Sequence, residues 1–343
     1  MKLSIPPQKR RKFWTRGALV RLGILAAALT GTGWYMIGMP GESFRGPLPA
    51  LDGNGTKLAG DLRRWVVRLA GEIGERNLDR YPKIQEAADF IEAELSASGL
   101  RVERQAFTAR NRTCHNLQAE LRGSARHEEI VVVGAHYDSV IGSPGANDNA
   151  SGVAGLLSLA RIFAGRRPER TLRFVAFANE EPPYFQGPDM GSRVYAHGCR
   201  ERGERITAML SLETIGYYSQ EKGSQRYPLV LGLFYPSEGN FIGFVGNLAS
   251  RALVRQSVAS FRRNAQFPSE GGALPGFIPG VGWSDHWSFW QEDYPAIMVT
   301  DTALFRYPHY HERGDTPDRI DYESMTRVVQ GLERVIGELV VLP

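Results

Sequence analysis

The chain has 343 residues, of which 42% are hydrophobic and 23% charged, a composition typical of a folded globular protein and unlike that of a disordered chain. The formal net charge is +4, but much of the positive excess lies in the first 21 residues, so the charge balance gives no indication of nucleic-acid binding. With only two cysteines, Cys114 and Cys199, a disulfide framework and a thiolate zinc cage are excluded. The two cysteines either pair in an oxidising compartment or remain as buried thiols.

The N-terminal region is basic up to residue 21 and then uncharged from Leu22 to Met39. About 18 apolar residues can span a membrane as a helix, and Trp34 and Tyr35 suit the membrane interface. We therefore predict a basic cytoplasmic segment at 1–21 and a single transmembrane anchor at 22–39. Because flanking basic residues stay in the cytoplasm, the rest of the chain is predicted to be periplasmic or extracellular. A cleaved signal peptide has a similar pattern and is the alternative.

After the anchor, a glycine- and proline-rich stretch predicts a linker over 40–57, and the remainder, 58–343, is predicted to form one domain. Helical spacing of apolar residues predicts helices at Asp61–Leu69, Pro82–Ser98, Ser151–Phe163, Ser192–Arg200, Gly239–Arg255 and Tyr322–Leu339. Short apolar runs predict strands at Val102–Phe107, Asn116–Leu121, Glu129–Gly134, Leu172–Phe177, Met209–Leu212 and Ala296–Val299. This alternation indicates an α/β sheet covered by helices on both faces. The stretch Ala265–Gly282 is predicted to be a long surface loop.

A histidine and an aspartate follow the third of these predicted strands, where open α/β sheets bind ligands. On an extended chain His136 and Asp138 face the same side. Asp138 could then accept a hydrogen bond from one imidazole nitrogen while the other nitrogen binds a metal. For His136 taken alone, an ordinary surface histidine at a strand end is the simpler interpretation.

A turn of small residues between Pro144 and Gly152 contains Asp148 and opens a predicted helix. Helix capping accounts for a single aspartate at such a position. Glycine in the turn also lets the backbone approach a ligand closely, and a carboxylate fixed there can bridge two cations.

Two adjacent carboxylates, Glu180 and Glu181, follow the next predicted strand and precede two prolines. The two side chains repel each other unless a cation or a shared proton relieves them. One can ligate a metal while its neighbour acts as general base towards a bound water. A solvated loop end is the simpler alternative.

Further acidic and imidazole side chains occur in two later segments. Glu213 follows another predicted strand, and the late run from Tyr307 to Asp318 contains two histidines. Imidazole and carboxylate ligands without cysteine suit a catalytic zinc that keeps an open coordination position.

Taken in order, the motifs GAHYDSV, PGANDNASG, FANEEPP, LETIGYY, WSDH and PHYHERGDTPD resemble those of the co-catalytic dizinc aminopeptidases, the bacterial leucyl-aminopeptidase-like zinc exopeptidases related to glutaminyl cyclases. The resemblance covers the chain from residue 58 to the C-terminus. It implies a mixed, mainly parallel sheet flanked by helices and two zinc ions about 3.5 Å apart, a spacing found in two-metal hydrolases.

The resemblance also implies a role for each motif residue: His136 and Glu213 on one zinc, Glu181 and His311 on the other, Asp148 on both, and Glu180 as general base. His311 is preferred to His309 because an Asp-Thr pair follows it four residues later. Asp138, Asp285 and His286 are expected in the pocket or next to the ligands. Glu213 departs from the family pattern, which often has Asp at this position, so its longer side chain must withdraw or ligate differently.

The implied activity is hydrolysis of peptide bonds at the N-terminus, through a hydroxide held by both zinc ions with Glu180 as base. The expected partners are a peptide or aminoacyl substrate and, through the N-terminal helix, a membrane. Three alternatives stay open: a glutaminyl cyclase with one zinc, a receptor or scaffold domain with a decayed site, and cleavage of a non-peptide amide. The sequence specifies neither the oligomeric state nor the preferred side chain of the substrate.

Overall fold

The computed structural model describes residues 16–341, which divide into two units with the boundary between Gly38 and Met39. In the first unit, helix α1 covers Arg16–Ile37. Its stretch Val20–Ile37 is long and apolar enough to cross a membrane, a property that a signal sequence shares. Residues 1–15, which make up most of the predicted cytoplasmic segment, lie outside the described part of the chain.

The second unit contains the remaining regular elements. Its helices are α2 (Gly53–Val66), α3 (Tyr81–Ala97), α4 (Gly152–Phe163), α5 (Gly191–Glu201), α6 (Arg251–Asn264), α7 (His286–Trp290) and α8 (Tyr322–Leu339). Its strands are β1 (Val102–Ala109), β2 (Arg112–Leu121), β3 (Arg126–His136), β4 (Arg170–Phe177), β5 (Arg205–Glu213), β6 (Ile242–Gly246), β7 (Ser269–Ala273) and β8 (Ala296–Thr300). Wider π-type turns cover Val67–Ile73 and Ala146–Ser151, and short 3-10 turns lie at Leu78–Arg80, Leu231–Leu233, Ala303–Phe305 and Pro317–Arg319.

The strands form one eight-stranded sheet in the order β1-β2-β4-β3-β5-β8-β6-β7. Its centre is parallel, because β3 pairs in parallel with both β4 and β5, and β5 pairs in parallel with β8. Three pairs are antiparallel: β1 with β2, β2 with β4, and β6 with β8. The carboxyl ends of β4, β3 and β5 are therefore neighbours at one edge of the sheet, and the segments that follow these strands meet there.

Successive residues of the central strands pack on opposite faces of the sheet, as the pleat requires. On β3, Val131 and Val133 belong to a large core that also contains residues of α2, α3, α4, α6 and α8. Ile130 and Val132 belong to a smaller core with residues of α5 and α7. Helices thus cover both faces, and the predicted fold class is confirmed.

Two predictions about single elements were wrong. The predicted helix Gly239–Arg255 is strand β6 followed by the start of α6, and the predicted loop Ala265–Gly282 contains β7. A short strand buried on both faces is continuously apolar and does not differ in periodicity from a buried helix. β7 has the sequence SEGGA, which carries no apolar pattern, so its conformation depends on pairing with β6.

The region predicted as a linker is packed against the second unit. Helix α2 begins at Gly53, inside that range, because the Asp52 side chain accepts a hydrogen bond from Gly55 N at 2.7 Å and caps it. Arg262 of α6 donates to the carbonyls of Pro40 (3.2 Å) and Gly41 (2.9 Å). This segment is therefore fastened to the domain rather than extended into solvent.

Of the two states left open for the cysteines, the structure has the unpaired one: Cys114 and Cys199 are both buried free thiols.

Candidate metal centre

Three adjacent parallel strands deliver acidic and imidazole side chains to one edge of the sheet. His136 is the last residue of β3, Glu213 is the last residue of β5, and Glu181 lies in the segment after β4. The turn before α4 adds Asp148, and the segment between β8 and α8 adds His311.

These five side chains form two clusters that share one residue. In the first, His136 Nε2 lies 3.3 Å from Asp148 Oδ1 and 3.3 Å from Glu213 Oε2. In the second, His311 Nε2 lies 3.2 Å from Asp148 Oδ2 and 3.2 Å from Glu181 Oε2. In each cluster one ligand atom from every residue lies within 4.8 Å of the others. Asp148 therefore directs one oxygen to each cluster.

The burial of these donors is consistent with a cation site. His136 is fully buried, and Asp148, Glu181 and Glu213 are buried as well, whereas 31% of the His311 side chain is exposed. Among residues 16–341, both ring nitrogens of His136 and Asp148 Oδ1 have no hydrogen-bond partner. Leaving buried polar atoms unpaired is costly, and a metal ion would satisfy His136 Nε2 and Asp148 Oδ1, which both face the first cluster. The nitrogen and oxygen donors fit zinc.

Electrostatics point the same way. Burial and the nearby Asp148 carboxylate raise the pKa of Glu181 to about 7. Burial also raises the pKa of Glu180 well above its ordinary value; the charge of His136 opposes this rise, while Glu213 and Glu181 add to it. Burial alone lowers the pKa of His311, but hydrogen bonding to Asp148 and Glu181 raises it to about 10. Glu180 and Glu181 thus need a nearby positive charge to be ionised together at neutral pH.

Asp138 orients His136 and the two consecutive glutamates, Glu180 and Glu181. Its Oδ1 and Oδ2 accept hydrogen bonds from the backbone nitrogens of Glu180 and Glu181, each at 3.1 Å. Oδ1 also lies 3.5 Å from His136 Nδ1. This carboxylate therefore faces the ring nitrogen opposite the one that faces the cluster, the usual arrangement beside a metal-binding histidine.

The glutamate that departs from the family pattern is held by a serine. Ser284 Oγ donates to Glu213 Oε2 at 2.7 Å and is itself 2.8 Å from Ser211 Oγ. The longer side chain of Glu213 still reaches the first cluster, because the same Oε2 lies 3.3 Å from His136.

The remaining predicted residues divide into two groups. Glu180 is buried, with Oε2 3.9 Å from His136 Nε2, and Asp285 is a fully buried acid whose charge acts on Glu180 and Glu213. In contrast, His286 lies with Nε2 2.8 Å from the carbonyl of Val281 and packs edge-on against Trp290. Burial lowers the pKa of His286 to about 4, so it is neutral, and it supports the loop rather than the clusters.

Two aspartates to which the sequence analysis gave no role of their own hold the turn around Asp148. Asp315 accepts hydrogen bonds from Asn147 N (2.8 Å) and Asp148 N (3.1 Å), and Asp301 accepts one from the Asn147 side chain at 2.9 Å. The turn also needs glycine: Gly145 has a φ of 63°, and a Cβ there would lie 2.3 Å from the carbonyl oxygen of Asp148.

Arg76 is the other contributor that the sequence pattern did not indicate. It is fully buried, and its guanidinium donates to the carbonyls of Tyr137 (2.7 Å), Gly74 (3.2 Å), Gly145 (2.8 Å) and Pro144. Burial lowers its pKa to about 10, an effect that Asp138 and Asp315 oppose, so it stays charged at neutral pH. It joins the segment after β3 to the turn that carries Asp148.

We expect Arg76→Met to lower the free energy of unfolding by ~3–5 kcal/mol. The substitution leaves several buried carbonyls without a hydrogen-bond donor, and it removes the positive charge near the buried carboxylates of Asp138 and Asp315. Arg101→Met is the matched control, since that side chain is 89% exposed and exposed ion pairs contribute at most ~1 kcal/mol. Thermal unfolding followed by circular dichroism measures both variants. Equal stability of the two would contradict the role given to Arg76.

An apolar pocket adjoins the clusters. Its volume is about 110 Å³, and its lining includes Glu213 of the first cluster, Tyr310, which stacks on His311, and the apolar Phe244, Met298 and Leu274. Small-molecule sites combine an apolar wall with a few placed polar groups in this way. The pocket is a candidate receptor for a substrate side chain.

The fold and the clusters together define a zinc-hydrolase type of α/β protein. The model of "Peptidase family M28" matches residues 116–336, and the chain belongs to this family. Membership of this family makes the chain a zinc metallopeptidase by class. "Uncharacterized protein YfbL" of Escherichia coli is 39% identical over 280 residues, which are 79% of this chain and 85% of that protein. A "Probable zinc metalloprotease" of Pyricularia oryzae is 29% identical over 63% of this chain and 47% of its own length; the chain thus spans about half of that relative.

Solved structures show the same fold. A zinc aminopeptidase from Bacillus subtilis superposes with a TM-score of 0.66 and 16% identity, over 82% of this chain and 95% of that chain. The glutaminyl cyclase of Fimbriiglobus ruber superposes with a TM-score of 0.61 and 21% identity, over 85% and 97% of the two chains. At these identities the likeness concerns the fold alone, and it includes both an aminopeptidase and a cyclase.

Proposed function

We propose that the chain is a dizinc aminopeptidase that removes residues from peptide N-termini. In this proposal His136 and Glu213 bind one zinc, Glu181 and His311 bind the other, and Asp148 binds both. The observation that supports it most is the orientation of Asp148, whose Oδ1 lies 3.3 Å from His136 and whose Oδ2 lies 3.2 Å from His311. One carboxylate facing two separate donor clusters is the arrangement expected of a bridging ligand.

Zinc held by these residues would lower the pKa of a water molecule and polarise the scissile carbonyl. Glu180 is assigned to accept the proton of the attacking water and to return it to the leaving amine. Its backbone is fixed by Asp138, so the base is oriented by the same carboxylate that faces His136. Substrate approaches from the side of His311, the most exposed of the five donors, with its first side chain in the apolar pocket.

A glutaminyl cyclase with one zinc is the second candidate, because the fold is shared with such an enzyme. Two observations oppose it: a second cluster of three donors is present beside the first, and Asp148 faces both clusters. A receptor or scaffold with a decayed site is disfavoured for the same reason, because such a domain has no need to keep five crowded ligands.

The free amino group of the substrate is the feature that distinguishes an aminopeptidase. We expect the purified full-length enzyme to hydrolyse aminoacyl chromogenic amides and to be inactive on the same amides with an acetylated amine, because the amine binds beside a zinc ion or a nearby acid. The relative rates on amides of different amino acids measure which substrate side chain the enzyme prefers. Equal rates on free and acetylated substrates would indicate cleavage of another class of amide and would contradict the proposal.

We further infer that α1 remains as a single-pass anchor, with the N-terminus in the cytoplasm and the 58–343 domain outside it. The length and apolar character of Val20–Ile37 support the anchor, and the preceding basic residues support the orientation. This inference is independent of the proposed chemistry.

A further inference from the structure

The apolar pocket beside the clusters contains an acidic residue to which the proposed chemistry gives no role. Its lining includes Glu213, a proposed metal ligand, and Glu270 of β7. Among the lining residues in the described part of the chain, these two are the only charged ones, and neither lysine nor arginine is present. When Glu213 binds a metal ion, Glu270 is left as the single uncompensated charge of this lining.

The pairing register shows where this acid lies relative to the clusters. Four paired residues of β5, β8, β6 and β7 form one row across the sheet: Glu213, Thr300, Gly243 and Glu270. Residues in one such row direct their side chains to the same face of the sheet. Neighbouring strands lie ~4.8 Å apart, so the backbones at the two ends of the row are separated by ~14 Å.

The inner part of this row leaves space between the two acids. All four residues of the row belong to the pocket lining. Gly243 has no side chain and Thr300 has a short one, so the floor between Glu213 and Glu270 carries no long side chain. Apolar and aromatic residues complete the lining, among them Leu274 and Met298. The pocket thus suits a long, mostly apolar substrate side chain that runs along the row.

Two tyrosines of the lining lie near Glu270. Burial raises the pKa of Tyr227 and of Tyr235, and the charge of Glu270 adds to the rise in both. Their hydroxyls donate to the carbonyls of Pro236 (2.6 Å) and Gly271 (2.8 Å), so neither hydroxyl donates to Glu270. Tyrosine rings attract a nearby cation, and this end of the pocket therefore favours a positive group.

Glu270 has a protein partner, but the pairing is weak. Arg262 Nη2 lies 3.4 Å from Glu270 Oε2, which is longer than the usual hydrogen-bond range of ~2.7–3.2 Å. The same guanidinium donates to the carbonyl of Ser269 at 2.8 Å and to two further carbonyls. Burial raises the pKa of Glu270, and the charge of Arg262 and a hydrogen bond with Ser43 oppose this rise without cancelling it. A second cation beside the carboxylate would therefore be stabilised.

We propose that Glu270 binds the cationic end of the substrate's first side chain, so that the enzyme prefers peptides that begin with lysine or arginine. With the scissile bond at the clusters, this side chain passes over Gly243 towards Glu270. Lysine and arginine combine an apolar stem, which suits the apolar wall, with a cationic end, which suits the acid. The inference rests on the proposed aminopeptidase function and names the substrate class that the proposal leaves open.

The test compares two chromogenic amides that differ in one charge. Norleucine has the carbon stem of lysine without the ammonium group, so the ratio of kcat/KM on the lysine amide to that on the norleucine amide measures recognition of the charge. The purified full-length enzyme is compared with Glu270→Gln. The matched control is Glu338→Gln, which breaks a 2.7 Å ion pair between Glu338 and Arg263, the neighbour of Arg262 on α6. Glu338 is absent from the pocket lining.

We expect the unsubstituted enzyme to favour the lysine amide and Glu270→Gln to lower the ratio by ~10–100-fold, the loss expected for one hydrogen bond to a charged group. The change should appear mainly in KM for the lysine amide, because this contact is made equally before and during the reaction. Glu338→Gln should keep the ratio of the unsubstituted enzyme.

Two results would overturn this proposal and leave the aminopeptidase function intact. One is a ratio near one in an unsubstituted enzyme that hydrolyses both amides. The other is a Glu270→Gln enzyme in which both amides slow equally, because that result assigns Glu270 a structural role only. Inactivity of the unsubstituted enzyme on both amides, or equal rates on their acetylated forms, would overturn the proposed function and this inference together.

Discussion

Glu180→Gln is expected to leave the metal content of the enzyme unchanged and to lower kcat by ~10²–10⁴-fold, the usual scale of general acid–base assistance. The substitution keeps the size of the side chain and removes its proton-accepting oxygen. The Glu180 backbone is held by Asp138, so the variant side chain stays in position. Metal analysis and steady-state kinetics on the same preparation measure the two quantities.

Its sequence neighbour provides the sharpest comparison. Glu181→Gln replaces a charged donor by a weaker neutral one, so the enzyme should lose zinc from one position and regain activity when zinc is raised. Glu221→Gln, at an exposed position, controls for the loss of a carboxylate elsewhere. If Glu180→Gln loses metal while Glu181→Gln keeps it and loses turnover, the two roles are reversed. Full activity of both variants would mean that the site is elsewhere.

Asp148→Asn is expected to have the broader effect, because one residue faces both clusters. Removing its charge weakens the binding of both metal ions at once. The metal affinity should fall by more than the ~10–100-fold that usually follows mutation of a residue hydrogen-bonded to a metal ligand. Activity should therefore fall at least ~10²-fold at limiting zinc, with both ions depleted, whereas Glu181→Gln depletes one.

The matched control for this variant is Asp318→Asn, which removes an aspartate that is 73% exposed and lies seven residues after His311 in the same segment. It should retain both metal content and turnover. Depletion of a single ion in Asp148→Asn would contradict a bridging role and would assign Asp148 to one cluster.

The parts of the fold that the sequence predicts are those in which local pattern and burial agree. Helix α8 was expected at Tyr322–Leu339 and lies there, because its apolar residues repeat at helical spacing. Strand β6, in contrast, is short and buried, and its neighbours in the sheet rather than its pattern determine its conformation. The glycine-rich β7 is an extreme case, since nothing in SEGGA indicates a strand.

The site shows the same division. Residues that lie directly after strands, such as His136 and Glu181, could be foreseen to approach each other, because parallel strands end at a common edge. Residues that contact the site from distant parts of the sequence could not be predicted in this way. Arg76 lies three residues after the π-type segment Val67–Ile73 and donates to carbonyls more than sixty positions away. The periodicity of the sequence does not indicate such a contact. The support of Glu213 by Ser284 is hidden for the same reason, since 71 residues separate them.

The number of zinc ions per chain tests the account most directly, because the proposed ligands form two clusters that share Asp148. Elemental analysis of the purified full-length enzyme after gentle dialysis, combined with activity on an aminoacyl amide, is the measurement. We expect a ratio of two zinc ions per chain, with activity falling as either ion is removed. A reproducible ratio of one in a fully active enzyme would contradict the dizinc site and would favour the cyclase-like arrangement.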